Sequence, residues 1–533
     1  MDESTWTPVT DIQQAYDTIT ATFLTGKTRD LEWRKEQIRR LGAMVQENES
    51  AFVAALQSDF SRPAFETLTG ELAPMKAEIL EALHSLDKWA KPERVKTSAM
   101  WYAAKPTVYY EPKGAVLVIG TWNYPITLLL TPLLGAISAG CTAIIKPAEQ
   151  APSMASLIAR LIPSYLDPSS FLVITGGVPQ TSALLEKKYS HIFYTGSGRV
   201  GRIVAKAAAE HLTPTTLELG GKSPAVVLED ADVEVAGRRI AWAKYTNAGQ
   251  ICIAPDYVLT TPTMEPKIIA SIAKHLRIFA ASSPLPSSAF STSVNKPLAG
   301  EHTYPETQVI TRAHYERLVK LLGETKGEVV VGGGKDEEGR RIEITVVRGV
   351  KEDDSLMSEE IFGPLLPVVT LPHKEAMVEF INAREVPLAI YVFTNSGEQS
   401  DFVFQRTRSG TFLRNDLVVQ FIMPGLPFGG TGESGYGGYH GRRTFLTFSH
   451  ERAAAHVPNW MDALMAARYP PYTDKNLRLL RFVSDTVLPT SRQSSRKFGL
   501  GVVLKLVALV GAVWAVVAKR GSVGAAVARV KSA

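Results

Sequence analysis

Cysteine is nearly absent: 533 residues carry only Cys141 and Cys252. That excludes a disulfide-stapled scaffold and any multi-cysteine zinc module. The ten histidines are scattered and no HExxH occurs, so no metal centre is expected. No secretory signal or transit peptide is legible at the start, because MDESTWTPVTDIQQAYD is polar and acidic and has no apolar run. The thiols are therefore expected to face the cytosol, reduced. No basic stripe interleaved with aromatics runs through the chain, so nucleic acid is not an expected partner. Apolar content of 45% and charged content of 21% are ordinary, which excludes a disordered, collagen-like or polytopic membrane protein.

What is present begins with length. At 533 residues the chain exceeds the ~250–300 at which one core stops growing, so two or three domains are expected. The net charge of +5 is unevenly spread. Residues 475–533 hold eleven Lys and Arg against one acid, Asp485, which leaves −5 for residues 1–474. Within that basic tail lies FGLGVVLKLVALVGAVWAVVA, Phe498–Ala518, 21 residues with one charge, Lys505. At ~1.5 Å per residue it spans roughly 30 Å, one hydrocarbon core. Arg492, Arg496 and Lys497 flank it on one side, Lys519 and Arg520 on the other. The expectation is a tail anchor that leaves the body in the cytosol, on a membrane whose organelle the sequence does not specify.

Apolar residues at helical spacing predict one amphipathic helix over Leu31–Leu56 and another near Leu72–Trp89. From Thr107 on, short apolar runs alternate with helical patterns. Strands are expected at 107–110, 115–119, 143–145, 171–174 and 191–194, with helices at 154–161 and 200–211. Such alternation argues parallel βαβ units. A second α/β pattern starts after Pro224, with strands near 225–228 and 329–331. Residues 281–309, rich in Ser, Thr and Pro, read as a long loop. Pro424–Gly441 holds eight glycines and reads as a tight-turned segment wrapping over another surface. Residues 453–468 read as an amphipathic helix.

Four places carry candidate chemistry. Gly196-Ser197-Gly198-Arg199-Val200-Gly201 follows a strand and opens a helix, where free backbone N–H groups favour a pyrophosphate. Cys252, in Gly249-Gln250-Ile251-Cys252, would be a nucleophile only as thiolate. Glu218 alternates with Leu217 and Leu219 in a strand and could serve as a general base. Asn123 follows the strand 115–119, where a side-chain amide can donate to an oxyanion. Taken singly, each has a plain explanation: a glycine turn, a structural thiol, an edge carboxylate, a turn asparagine.

Together they resemble the aldehyde dehydrogenase superfamily, from about Leu31 to about Ala453. The resemblance rests on TWNYP (121–125), KPAE (146–149), FYTGS (193–197), ELGGKSP (218–224), GQIC (249–252) and EEIFGP (359–364). CIAPDY (252–257) and YHGRRTF (439–445) are similar to class 3, which includes fatty aldehyde dehydrogenases, some with a C-terminal membrane helix. Fungal β-apo-4′-carotenal oxygenases look similar too.

The resemblance implies an α/β aldehyde dehydrogenase fold. Its parts would be a Rossmann-like NAD(P)-binding domain (1–97 and 114–220), an α/β catalytic domain (221–415) and a small β oligomerisation element (98–113 and 416–452). A linker with an amphipathic segment (453–497), the anchor (498–518) and a short tail (519–533) would follow. It implies Cys252 as nucleophile, Asn123 as oxyanion donor and Glu218 as the base for water. Lys146 and Glu149 would contact the adenosine ribose, with NAD favoured and NADP possible. Gly196 and Ser197 would lie at the pyrophosphate, with Gly201 also among the cofactor-binding residues, and Glu360 and Phe362 at the nicotinamide. A homodimer is implied. The expected reaction is oxidation of a long apolar aldehyde, fatty or apocarotenoid, to its acid. The alternatives are a silent membrane-bound scaffold and an acylating reductase. Ile251 and Arg414 depart from the pattern, and Cys141 is read as structural.

Overall fold

Alternating strands and helices build two parallel sheets in the computed structural model, which describes residues 6–281, 305–423, 425–484 and 511. In chain order the strands of the first sheet are β1 (Ala115–Ile119), β2 (Thr142–Lys146), β3 (Phe171–Val173), β4 (His191–Gly196) and β5 (Thr215–Leu219). The second sheet is formed by β6 (Pro224–Val227), β7 (Tyr257–Thr260), β8 (Glu328–Val331), β9 (Thr345–Arg348), β10 (Leu365–Thr370), β11 (Ala389–Phe393) and β12 (Thr411–Arg414). A two-residue strand, β13 (Gly435–Tyr436), returns to the first sheet.

The first sheet runs β13-β5-β4-β1-β2-β3 and is parallel except for β13, which pairs antiparallel with β5. The second runs β8-β9-β10-β7-β6-β11-β12, with only β8 antiparallel. β1, β2 and β11 are buried along their whole length, as expected of strands covered by helices on both faces. One apolar cluster joins Leu117, Ile144, Ile192, Leu217 and Leu219 to Val204 of the helix Gly198–Glu210. A second gathers Val226, Leu259, Leu365 and Val392 under the helix Arg312–Glu324.

Both sheets lie in a unit made of Met1–Ala90 and Glu111–His450. A second unit, Lys91–Tyr110 and Glu451–Ala533, holds a small sheet in which Glu93 faces Val108 and Arg94 faces Thr107.

Three expectations need revision. The helix predicted over Leu31–Leu56 is two helices, Leu31–Glu47 and Glu49–Phe60. Asn48 divides them: its Nδ2 donates to the Met44 carbonyl (2.9 Å) and to Tyr165 Oη (3.1 Å). The helix predicted over 453–468 is an extended strand to Ala454, then single turns at Met461–Leu464 and Ala466–Arg468. There His456 N–H donates to the Ala104 carbonyl and Pro458 has no N–H to give a helix. The amphipathic helix falls instead on Asp474–Ser484. The glycine-rich segment does wrap a surface, yet it contributes β13. Most of the predicted loop at 281–309 and the whole expected anchor except Gly511 lie outside the described residues. Among the described residues no helix is long and apolar enough to cross a membrane.

Candidate active site

Four neighbouring strands deliver the first half of the site. β1 ends just before Asn123, β2 ends on Lys146, β4 ends on Gly196, and β5 carries Glu218. Ligands of parallel α/β sheets sit beyond these carboxyl ends. The order β5-β4-β1-β2 therefore brings the separate motifs to one edge.

Leu217 and Leu219 turn into the apolar core, so Glu218 faces the other way. It is nonetheless buried, and neither carboxylate oxygen has a hydrogen-bond partner. Burial pushes its pKa well above the ordinary carboxylate range. The glycine-rich segment covers it: Gly435 is its register partner, and a Cβ on Gly429 would lie 3.3 Å from Glu218 Oε1.

Cys252 follows a turn in which Asn247, Ala248 and Gly249 all have positive φ (52°, 53° and 70°). Glycine is required at the last: a Cβ there would sit 2.4 Å from the Gly363 carbonyl oxygen. The thiol is half-buried. Burial, then Glu360 and Glu218, push it up to about 12, while the backbone N–H groups of Cys252 and Ile253 act the other way. Asn123 is buried, and its Nδ2 donates to the Gln250 carbonyl at 3.1 Å, which ties the end of β1 to the turn before the thiol. Cys252, Glu218, Glu360 and this turn are brought together.

Glu360 and Phe362 stand on a loop clamped by three charged side chains. Arg317 donates to the carbonyls of Glu360 (3.3 Å) and Ile361 (2.6 Å). Lys222 donates to those of Leu356 (2.8 Å) and Glu359 (2.9 Å). Asp256 accepts the Ile361 N–H (2.9 Å) and pairs with Lys222 (2.5 Å). Phe362, at φ 48°, sets its ring edge-on to Trp122, 5.4 Å between centroids. Burial pushes Glu360 up to about 8, and a Cβ on Gly220 would overlap its carboxylate.

At the end of β2, Lys146 is buried and pairs with Glu149 at 2.5 Å. Ser197 caps the helix Gly198–Glu210, its Oγ accepting from Val200 N–H. Next to it Gly198 leaves the backbone open, since a Cβ would meet nothing nearer than Arg202 Nη1 at 3.4 Å. Acid, lysine and open helix start fit an adenine dinucleotide. Gly201 does not join them. It is one turn inside the helix, its N–H is taken by the Ser197 carbonyl (2.9 Å), and a Cβ would strike Leu219. Its missing side chain serves helix–sheet packing.

Of the departures, Ile251 is buried, and Arg414 donates to the Thr394 and Asn395 carbonyls. Cys141 is buried, its thiol donating to the Phe448 carbonyl. Sequence reasoning missed Arg62, Glu71, Asn247 and Arg317, which belong to none of the quoted motifs; Lys222 and Asp256 lie inside ELGGKSP and CIAPDY, but their part in the clamp leaves no sequence signal.

Comparison with known proteins agrees with this architecture. The model of the aldehyde dehydrogenase family matches residues 6–453. Aldehyde dehydrogenase family 3 member H1 of Arabidopsis thaliana is 41% identical over 481 residues, 90% of this chain and 94% of the relative. The dimeric NADP-preferring aldehyde dehydrogenase of Rattus norvegicus is 40% identical over 449 residues, 84% of this chain and 95% of the relative. The substrate-bound state of AldH from Staphylococcus aureus superposes with a TM-score of 0.82 at 36% identity, covering 88% of this chain and 99% of that one.

Proposed function

The chain belongs to the aldehyde dehydrogenase family, and from that premise we propose that it oxidises a long apolar aldehyde to the carboxylic acid through Cys252. The cofactor is NAD(P). When bound, its nicotinamide supplies the hydride acceptor. Lys146, Glu149, Gly196 and Ser197 would hold the dinucleotide at the sheet edge, and Glu360 and Phe362 its nicotinamide end.

The chain's own residues then do the following. Cys252 Sγ, its proton given up to water, forms a bond as thiolate to the aldehyde carbon, and the carbonyl electron pair moves onto oxygen. The Asn123 amide and the Cys252 N–H stabilise that oxyanion. Loss of hydride from the adduct carbon leaves a thioester on Cys252. Glu218 takes a proton from water, whose oxygen bonds to the acyl carbon. The carbon–sulfur bond breaks, the acid departs, and the thiolate is regenerated.

The observation that carries this reading is Glu218: a buried carboxyl group with two unpartnered oxygens, held under the glycine-rich segment. Native proteins rarely leave such a group unsatisfied without a use for it. It also disfavours the acylating alternative, which has no need of a base for water.

The substrate class is inferred from the 498–518 segment. An enzyme held at a bilayer meets aldehydes dissolved there, and each buried CH₂ contributes about 0.8 kcal/mol to binding. Straight-chain fatty aldehydes and apocarotenoid aldehydes such as β-apo-4′-carotenal both fit. The body would be tail-anchored on the cytosolic side. A homodimer follows the relative named as dimeric. Residues 98–113 and 416–452 are assigned to its interface. A panel of fatty and apocarotenoid aldehydes with NAD or NADP, run beside Cys252→Ala, tests the reading. Free acid as product, dependent on Cys252, supports it; a released thioester, or turnover without Cys252, overturns it.

A further inference from the structure

Behind the proposed oxyanion donor sits a guanidinium that no motif announces. Arg62 is 1% exposed and follows the helix Glu49–Phe60. Its Nη2 donates to the Asn123 carbonyl oxygen and its Nε to Asn247 Oδ1 at 3.2 Å. Its Nη1 pairs with Glu71 Oε1 at 2.6 Å, and Glu71 is also fully buried. Its Cζ stands over two rings, 4.7 Å from the Phe60 centroid and 4.6 Å from that of Tyr124.

Each partner leads to a different piece of the site. Asn247 Nδ2 donates onward to the carbonyls of Asn123 (3.2 Å) and Gln250 (3.0 Å). Gln250 is two residues from Cys252, and its carbonyl also receives the Asn123 amide. Glu71 Oε2 accepts the N–H groups of Ile126 (2.8 Å) and Thr127 (3.1 Å), which fixes the chain just beyond Asn123. One planar fork thus ties the end of β1 to the turn that carries the nucleophile. A lysine in its place would offer one point charge and no fixed geometry.

We propose that Arg62 is a positioning residue: through Asn123 and Asn247 it sets where the Asn123 amide stands relative to Cys252 Sγ. This rests on the reading of Asn123 as oxyanion donor. Oxyanion donors act only from a narrow position, and loss of one slows turnover by about 10²–10³-fold. Arg62 therefore influences the rate without touching substrate.

The test compares the full chain with Arg62→Lys, Asn123→Ala and the double variant, using decanal as probe and saturating NAD. Arg62→Lys is expected to lower kcat by about 10–100-fold, less than outright loss of the donor would, with KM for NAD unchanged. In the Asn123→Ala background the same change is expected to cost under about threefold, because both lesions act on one interaction. A multiplicative double variant, or a kcat for Arg62→Lys equal to that of the parent, overturns the positioning role. An Asn123→Ala enzyme as fast as the parent overturns the oxyanion reading itself, and the positioning role with it. If Arg62→Lys does not fold, Asn247→Asp takes its place. It keeps the acceptor for Arg62 Nε and removes both amide donations. The expected loss in kcat is again absorbed in the Asn123→Ala background, and multiplicative losses again overturn the proposal.

Discussion

Glu218 and Gly435 face each other across an antiparallel pair, so the glycine-rich segment closes the edge of the first sheet at the carboxylate itself. A Cβ on Gly435 would sit 1.9 Å from the Leu217 carbonyl oxygen, and one on Gly429 would sit 2.6 Å from that of Gly437. Contact this close admits no side chain.

Gly429→Ala is accordingly expected to destabilise the protein by about 1–3 kcal/mol, the usual range for overpacking. Activity should fall together with stability, because the displaced segment covers Glu218. Thermal unfolding measured beside kcat checks this. Parent-like values for both would contradict the packing described.

Glu218→Gln should separate the two halves of the reaction. One equivalent of reduced cofactor forms per active site and steady turnover then drops by about 10²–10⁴-fold, the usual contribution of a general base. Stopped-flow absorbance of the reduced dinucleotide distinguishes this burst from a uniform loss.

The same substitution has a signature in stability. Glu218 holds its proton in the fold to a higher pH than in the unfolded chain. Its contribution to stability is present below the unfolded carboxylate value and is lost as pH rises above it. The Tm of Glu218→Gln relative to the parent should therefore climb between pH 5 and pH 8. A difference that is flat with pH would contradict the burial of an acid there.

With its thiol pushed up to about 12, Cys252 in the cofactor-free protein should react slowly with iodoacetamide at pH 7. The rate should rise about tenfold per pH unit, following the thiolate fraction, with no plateau below pH ~10. A plateau near neutrality would place the thiolate where the structure does not.

Glu149 bears on cofactor choice. Its carboxylate is already engaged by Lys146 and by Gln150 Nε2 at 2.9 Å. Removing its charge with Glu149→Gln leaves Lys146 free to meet a 2′-phosphate. The ratio of kcat/KM for NADP to that for NAD is expected to rise by about tenfold, which is ~1.4 kcal/mol. An unchanged ratio would remove Glu149 from the ribose site.

The sheet strands were legible because β1, β2 and β4 each carry consecutive apolar residues (AVLVI, AII and IFY) of the kind that doubly covered strands need. The motif residues at their ends were legible for a different reason: they resembled a family. Two kinds of feature escaped. Local competition by a side chain, as at Asn48, breaks a helix without disturbing its apolar spacing. Long-range polar contacts leave no periodic trace. Arg62 and Asn247 are 185 residues apart, and neither has a neighbour in sequence that announces the other. Gly201 misled in the opposite sense: its spacing fitted a phosphate loop while its N–H was already committed to the helix.

The late return of β13 has a consequence for biosynthesis. Thr215 and Tyr436, bonded through their hydroxyls at 2.6 Å, are 221 residues apart. A ribosome that has finished β5 must therefore translate through the whole second sheet before the first can be sealed. During that interval the nascent polypeptide carries an open strand edge beside an uncovered acid, the stage of synthesis at which a chaperone has most to shield.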